Sequence, residues 1–223
     1  MNLELFKTPV KTRKDELSEQ LKASAPNVGY PAQKKYQIIY ADPPWSYSVS
    51  SSVAGGRGQN TSYRCMRPVE IYEMPIDKIA DEDCILFIWS TFPMLPEALY
   101  TVKAWGFFYK TNAFTWIKKN KKANTNFFGM GYWTRRNTEI CLIGTKGNPK
   151  AVDHSISELI ESPIEKHSKK PDEVRDKIVK LCGDRLRIEL FAREKHEGWD
   201  VWGNEVQSDI QLVPDNDGVS SAR

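Results

Sequence analysis

Cysteine and histidine are scarce in this chain of 223 residues, which holds four of the first and three of the second. Cys65, Cys84, Cys141 and Cys182 lie far apart with no C-x-x-C pair, and His154, His167 and His196 are equally scattered. That spacing argues against a zinc site or a disulfide framework, so no metal is expected, and a reducing compartment fits better. Long apolar runs are missing too. The most apolar stretch, Ile85 to Trp89, is far too short to cross a bilayer, and MNLELFKTPVKTRKDE lacks the apolar core of a signal peptide. An intracellular, cytoplasmic protein is expected. Nor is there much charge of one sign: 32 Lys and Arg against 29 Asp and Glu leave a formal +3. That surplus is too small to argue for nucleic acid unless the charges cluster locally.

What is present is ordinary for a globular protein, with 40% hydrophobic and 27% charged residues, enough for one domain with a full core. Aromatics stand out, at 11% with seven tryptophans. Residues 1–35 read as an extension with one short amphipathic helix around Leu17 and Leu21; residues 36–206 read as the domain; residues 207–223 read as a polar, frayed tail. KKYQIIYA is a buried-strand run that stops at Asp42-Pro43-Pro44, because neither proline can donate to a sheet ladder. The Ser- and Gly-rich segment 46–67 reads as a lid-like loop. Helices are expected from Pro68, over Pro96 to Trp105 with Gly106 as cap, and from Pro171 with Val174, Ile178 and Leu181 on one face. Strands are expected at Cys84–Trp89, Phe107–Ile117, Glu139–Gly144, Arg187–Ala192 and Val201-Trp202. This alternation predicts an α/β sheet, mostly parallel.

The sharpest feature is Asp42-Pro43-Pro44-Trp45 at the carboxyl end of a buried strand, where ligands bind in open α/β sheets. An exocyclic amino group on a purine or cytosine is a poor nucleophile, since its lone pair is delocalised into the ring. A carboxylate and a fixed backbone carbonyl both accept its N–H bonds and free that lone pair. Successive prolines hold a rigid turn whose carbonyls face a ligand, and a tryptophan beside them can stack on a base. The plainer alternative is a proline turn with Asp42 as a cap and Trp45 in the core.

D-P-P-W resembles the signature of amino-methyltransferases, and the rest of the chain is similar to the MT-A70 family of adenine-N6 methyltransferases. The resemblance runs from about Tyr36 to Val206. It includes FIWST (Phe87 to Thr91), the later W-G-F and W-I-K (Trp105, Trp116), and the run from Gly131 to Pro149. It continues through HSKKPDE (His167 to Glu173), IELFAR (Ile188 to Arg193) and WGNE (Trp202 to Glu205). It implies a Rossmann-like sheet binding S-adenosylmethionine, in permuted order with the catalytic motif first. It further implies that Asp42 receives the adenine amino group and borders the cofactor, with Pro43, Pro44 and Trp45 completing the cradle. Lys170 would bind the methionine carboxylate, Glu189, Phe191 and Arg193 the ribose, and Asn204 with Glu205 the cofactor's adenine.

On spacing alone, Lys170 reads as one more solvated lysine beside Lys166 and Lys169, and Glu189 could pair with Arg187 or Arg193 instead. The segment 118–136 places Lys118, Lys121, Lys122, Arg135 and Arg136 among aromatics that include Trp133, a mixture suited to phosphates and unstacked bases. Tyr63 and Arg64 in the lid-like loop are further candidates over the base. The expected partner is nucleic acid, DNA ahead of RNA, because the compact form resembles bacterial and phage members. A non-catalytic nucleic-acid-binding partner subunit is the alternative, and pairing with a second copy or a related subunit fits the family.

Overall fold

The computed structural model describes residues 34–46, 65–131, 133–165 and 169–212. Strand β1 (Tyr36–Ala41) is apolar on both faces, so it needs cover above and below. It obtains that cover at the centre of the sheet, between parallel β2 (Ala80–Ser90) and parallel β7 (Arg187–Leu190). Beyond β7 lies β8 (Asp200–Trp202), also parallel. Beyond β2 the direction reverses. Strand β5 (Thr138–Lys146) runs antiparallel between β2 and β3 (Phe108–Asn120), and β4 (Ala123–Asn126) folds back on β3 as a hairpin. Strand β6 (Leu159–Pro163) pairs parallel with β3. The strand order is β4-β3-β5-β2-β1-β7-β8, with β6 off the path.

Alternate side chains of β1 and β2 feed two cores. Ile39, Ala41, Leu86 and Ile88 pack with Ile71 of α1 (Pro68–Tyr72) and with Ala98 and Val102 of α2 (Leu95–Ala104). Ile38, Tyr40, Phe87 and Trp89 pack with Val174, Ile178 and Cys182 of α3 (Glu173–Cys182). Helices therefore cover both faces of a mixed sheet. Pro68 and Pro96 sit in the first turns of α1 and α2, where a missing N–H is harmless. Gly106 and Gly183 follow α2 and α3 at φ 84° and 82°, the left-handed region that favours glycine.

The expected mostly parallel sheet is present, six of its eight strands sharing one direction with β4 and β5 reversed. Two expectations change. The basic run of Lys118 and Lys119 lies inside β3, which extends to Asn120 before turning at Lys121 and Lys122. Residues 207–212 are held down: Asp209 accepts the Val201 N–H at 2.9 Å, and Ile210 and Leu212 pack on the core. The short helix expected near Leu17 lies outside the described residues, as does nearly all of the lid-like loop. Among the described residues no helix is long and apolar enough to cross a membrane.

Where β7 ends, Phe191 takes φ 61°, an uncommon value for a side chain of its size. The chain then crosses closely under β8. A Cβ on Gly203 would meet the Ala192 carbonyl oxygen at 2.1 Å and its nitrogen at 2.8 Å, both backbone atoms that cannot swing away. Gly203→Ala is therefore expected to cost about 1–3 kcal/mol. The readout is a lower urea midpoint with an unchanged slope.

Candidate active site

Strand direction decides where the chemistry collects. Strands β1, β2, β3, β6, β7 and β8 all deliver their carboxyl ends to one edge of the sheet, and antiparallel β5 begins there at Thr138. Asp42 follows β1, Glu139 opens β5, and Phe191 and Arg193 follow β7 at that same edge. A cleft of about 480 Å³ lies there. Asp42, Lys170, Arg175, Glu189, Phe191, Arg193 and Glu205 line it, as do Tyr40, Lys121, Glu165, Lys169 and Glu194.

At its base, Lys170 Nζ stands 2.7 Å from each carboxylate oxygen of Asp42 and 3.3 Å from Glu139 Oε2. Only 9% of the Lys170 side chain is exposed, so the ammonium depends on these partners. Burial alone would lower its pKa, and the two carboxylates reverse that and hold it above the ordinary lysine value. Burial pushes the Asp42 carboxyl up, and Lys170 offsets only part of the rise. Glu139 ends the other way. Burial would raise it, yet Lys170 and Lys118 together bring it below the usual carboxylate range. Lys118 contacts the second Glu139 oxygen, Oε1, completing an alternating chain of charges.

The other wall carries a second buried pair. Arg175, projecting from α3, donates Nε to Glu189 Oε2 at 2.7 Å and a terminal nitrogen to Oε1 at 3.0 Å. This fork geometry fixes the carboxylate's plane. The aromatic floor lies beneath both cations: Lys170 Nζ is 5.6 Å from the Trp89 ring centre, and the Arg175 guanidinium is 6.0 Å from that of Tyr40. The Trp89 indole N–H donates to the Tyr40 hydroxyl at 2.7 Å, locking the two rings together. Arg175→Met would leave Glu189 buried without its cation and is expected to cost about 3 kcal/mol in chemical denaturation. Adding Glu189→Gln should recover much of that loss, since the isolated charge is then gone.

This assembly of carboxylates, cations and rings at a strand-end cleft coincides with one contiguous stretch of sequence. Residues 36–205 match the family model described as MT-A70. The chain belongs to the MT-A70 family. It is 33% identical over 200 residues to the type II methyltransferase M.MunI of Mycoplasma sp, covering 82% of each chain. It is 27% identical over 185 residues to the N(6)-adenosine-methyltransferase catalytic subunit METTL3 of Homo sapiens, and 25% identical over 187 residues to the N(6)-adenosine-methyltransferase MT-A70-like protein of Arabidopsis thaliana. The matches cover 81% and 82% of this chain, but only 30% and 25% of those longer proteins.

Within this MT-A70 domain the cleft gathers Asp42, Lys170, Glu189, Phe191, Arg193 and Glu205. Asn204 is exposed and does not line it. Trp45 corrects the expectation of a stacking platform. It is 7% exposed, packs in the core and donates its indole N–H to the Trp89 carbonyl at 3.1 Å. The proline carbonyls are also engaged: Pro43 accepts the Trp45 N–H at 2.9 Å and Pro44 the Met66 N–H at 2.8 Å. Each keeps a second lone pair. Lys118 is corrected as well. It points inward to Glu139 and over the Trp116 ring rather than out toward phosphates.

Lys121, Lys122 and Arg135 are exposed, Trp133 is 98% exposed, and Arg136 is half-buried with its backbone paired to Gly129 in both directions. Tyr63 and Arg64 lie outside the described residues. Sequence reasoning missed Glu139, Arg175 and Tyr40. Glu139 had one local signal, a carboxylate at the head of the apolar run EICLIG. Arg175 had only its place beside Val174 on a helix. Asp172, Glu194 and His196 also converge, and Lys169 already bridges the two carboxylates at 2.9 Å each.

Proposed function

We propose that this chain is an S-adenosylmethionine-dependent methyltransferase that modifies the N6 amino group of adenine in DNA. The observation that carries the reading is Asp42, the head of D-P-P-W, set at a strand end inside a cleft and held by a buried lysine. The residues present suit the cofactor. A cation (Lys170) answers its carboxylate, an oriented carboxylate (Glu189) its ribose hydroxyls, and a ring (Phe191) its apolar faces, with Arg193 and Glu205 also in the lining; Asn204, outside that lining, is assigned to the cofactor's adenine on the resemblance alone. When bound, S-adenosylmethionine supplies an electrophilic sulfonium methyl group. The permuted chain order implied by the resemblance is part of this reading; among the described strands β1 is central and first in the chain, and β7 and β8 come last.

Asp42 does the remaining work at the reacting nitrogen. Its two oxygens carry lone pairs beyond those used by Lys170, so one accepts an adenine N–H while the salt bridge persists. The Pro43-Pro44 turn fixes that carboxylate, and Trp45 fixes the turn from below through its core packing. Accepting the N–H draws the nitrogen away from planarity and makes its lone pair available. Orientation and electrostatics carry the rate. The target base has to leave its stack to reach so recessed a carboxylate, at a cost of a few kcal/mol. Lys121 lines the cleft, and it is assigned, with Lys122, Trp133, Arg135, Arg136, Tyr63 and Arg64, to the reception of flanking nucleotides.

Similarity over 82% of both chains to a type II methyltransferase favours DNA. The test is transfer of labelled methyl from S-adenosylmethionine to matched double-stranded DNA, single-stranded DNA and RNA, followed by digestion to nucleosides. Label in N6-methyladenine from DNA is the expected result. Label confined to RNA would overturn the DNA assignment, and cofactor binding with no label anywhere would overturn the activity.

A further inference from the structure

We propose that Lys118 is a positioning residue for this reaction: acting through Glu139, it keeps Lys170 on Asp42. The inference rests on the function proposed above and concerns a residue whose sequence context pointed to phosphate contact. Register explains its actual place. Trp116 of β3 pairs with Glu139 of β5, so Lys118, two residues on, falls on the same face and diagonal to Glu139. The Trp116 ring lies 5.0 Å from the Lys118 ammonium, and its indole N–H is anchored at 3.1 Å to the Ser162 carbonyl. Lys118 is thereby held against Oε1 of Glu139 at 18% side-chain exposure, turned toward the cluster.

The effect on Asp42 follows from competition. Glu139 and Asp42 share one ammonium, and Lys170 lies closer to Asp42, at 2.7 Å to both oxygens against 3.3 Å to Glu139. A Glu139 already neutralised by Lys118 pulls weakly on Lys170. Without Lys118, Glu139 faces a single cation and draws it away. Asp42, already raised by burial, then loses the charge that keeps it ionised, and it takes up a proton at lower acidity. Protonated Asp42 is a poorer acceptor for an amino N–H. The ionisable groups of and around this cluster are Tyr40 and Asp42 at the end of β1, Lys118 from β3, Glu139 and Cys141 from β5, Lys170 from the segment before α3 and Arg193 from the loop after β7.

The experiment compares wild type, Lys118→Met and Lys118→Arg in the full chain, following methyl transfer across pH 5.5–9.5. In parallel the Asp42 carboxyl is titrated by carbon NMR in the cofactor-free protein. For Lys118→Met we expect the acid limb of kcat and the Asp42 titration both to move up by about one pH unit, a roughly tenfold loss on that limb. Rates should return toward wild type near pH 9, Lys118→Arg should restore the profile, and oligonucleotide affinity at fixed salt should stay within about twofold. An unmoved Asp42 titration overturns the proposal. So does a loss equal at every pH without rescue by arginine, or weaker oligonucleotide binding with an unmoved limb. A shifted titration in a protein that transfers no methyl to any nucleic acid would uphold the positioning role and reject the function it was drawn from.

Discussion

Asp42→Ala should abolish methyl transfer, by at least about a thousandfold, while leaving S-adenosylmethionine binding nearly intact. The separation is expected because Lys170 keeps Glu139 as a partner at 3.3 Å when Asp42 is shortened, so the cation and the cleft around it persist. On the proposed mechanism, removing the carboxylate takes away the acceptor for the amino N–H, and it touches none of the Arg175–Glu189 wall. Transfer in single turnover and cofactor affinity by calorimetry are the two readouts. A variant that transfers at the wild-type rate would sink the assignment of Asp42, whatever its affinity.

Lys170→Met should have the largest combined effect. The substitution leaves Asp42 and Glu139 facing each other with little water, and breaking a buried pair in this way costs about 3–5 kcal/mol. Cofactor binding should fall with it. The pH dependence has a definite sign. In the wild type, Glu139 sits below its ordinary pKa, so its share of stability is present above that ordinary value and is lost as pH falls through the depressed one. Asp42 sits above its ordinary pKa, so its share is fully present only below that value and is lost as pH rises through the elevated one. With Lys170 gone both carboxyls rise: the Asp42 share then favours acid more strongly, while the Glu139 share, still supported by Lys118, favours base less. Urea denaturation at pH 8 and pH 5 should therefore show the deficit against wild type narrowing at pH 5. A deficit that stayed constant would mean the two carboxylates are hydrated in the variant.

The elements most legible in the sequence are those whose pattern answers to their immediate surroundings. Strand β1 is apolar on both faces and ends at two prolines, and α3 carries Val174 and Ile178 on one stripe with Gly183 behind. Their place and type were readable before any partner was known. Strand β6, Leu159–Pro163, offered no such pattern: three of its five residues are exposed, and it is a strand because β3 gives it a partner. The reversal of β5 left no mark either, since a strand buried in a sheet looks the same in either direction.

The site divides along the same line. Asp42 announced itself through the chemistry of D-P-P-W. Lys170 looked like its solvated neighbours until the carboxylates of β1 and β5 enclosed it. Glu139, Lys118 and Arg175 owe their roles to cross-strand register and helix docking, which are properties of pairs of distant residues. Trp45 shows the converse. A residue type that suits stacking was claimed by the core, because the turn at Pro43-Pro44 aims it inward toward Trp89.

The common direction of six strands has a further consequence for how such a domain can be elaborated. The turns at the opposite edge, around Pro75 before β2, Gly106 before β3, Gly147 to Glu158 between β5 and β6, and Gly183 to Leu186 before β7, lie away from the cleft. An inserted module or a tether at those turns would lengthen the protein without moving a catalytic atom. Segments grafted at the other edge would alter what the cleft admits. One side of the sheet is thus where such an enzyme acquires new attachments, and the other is where it changes its choice of substrate.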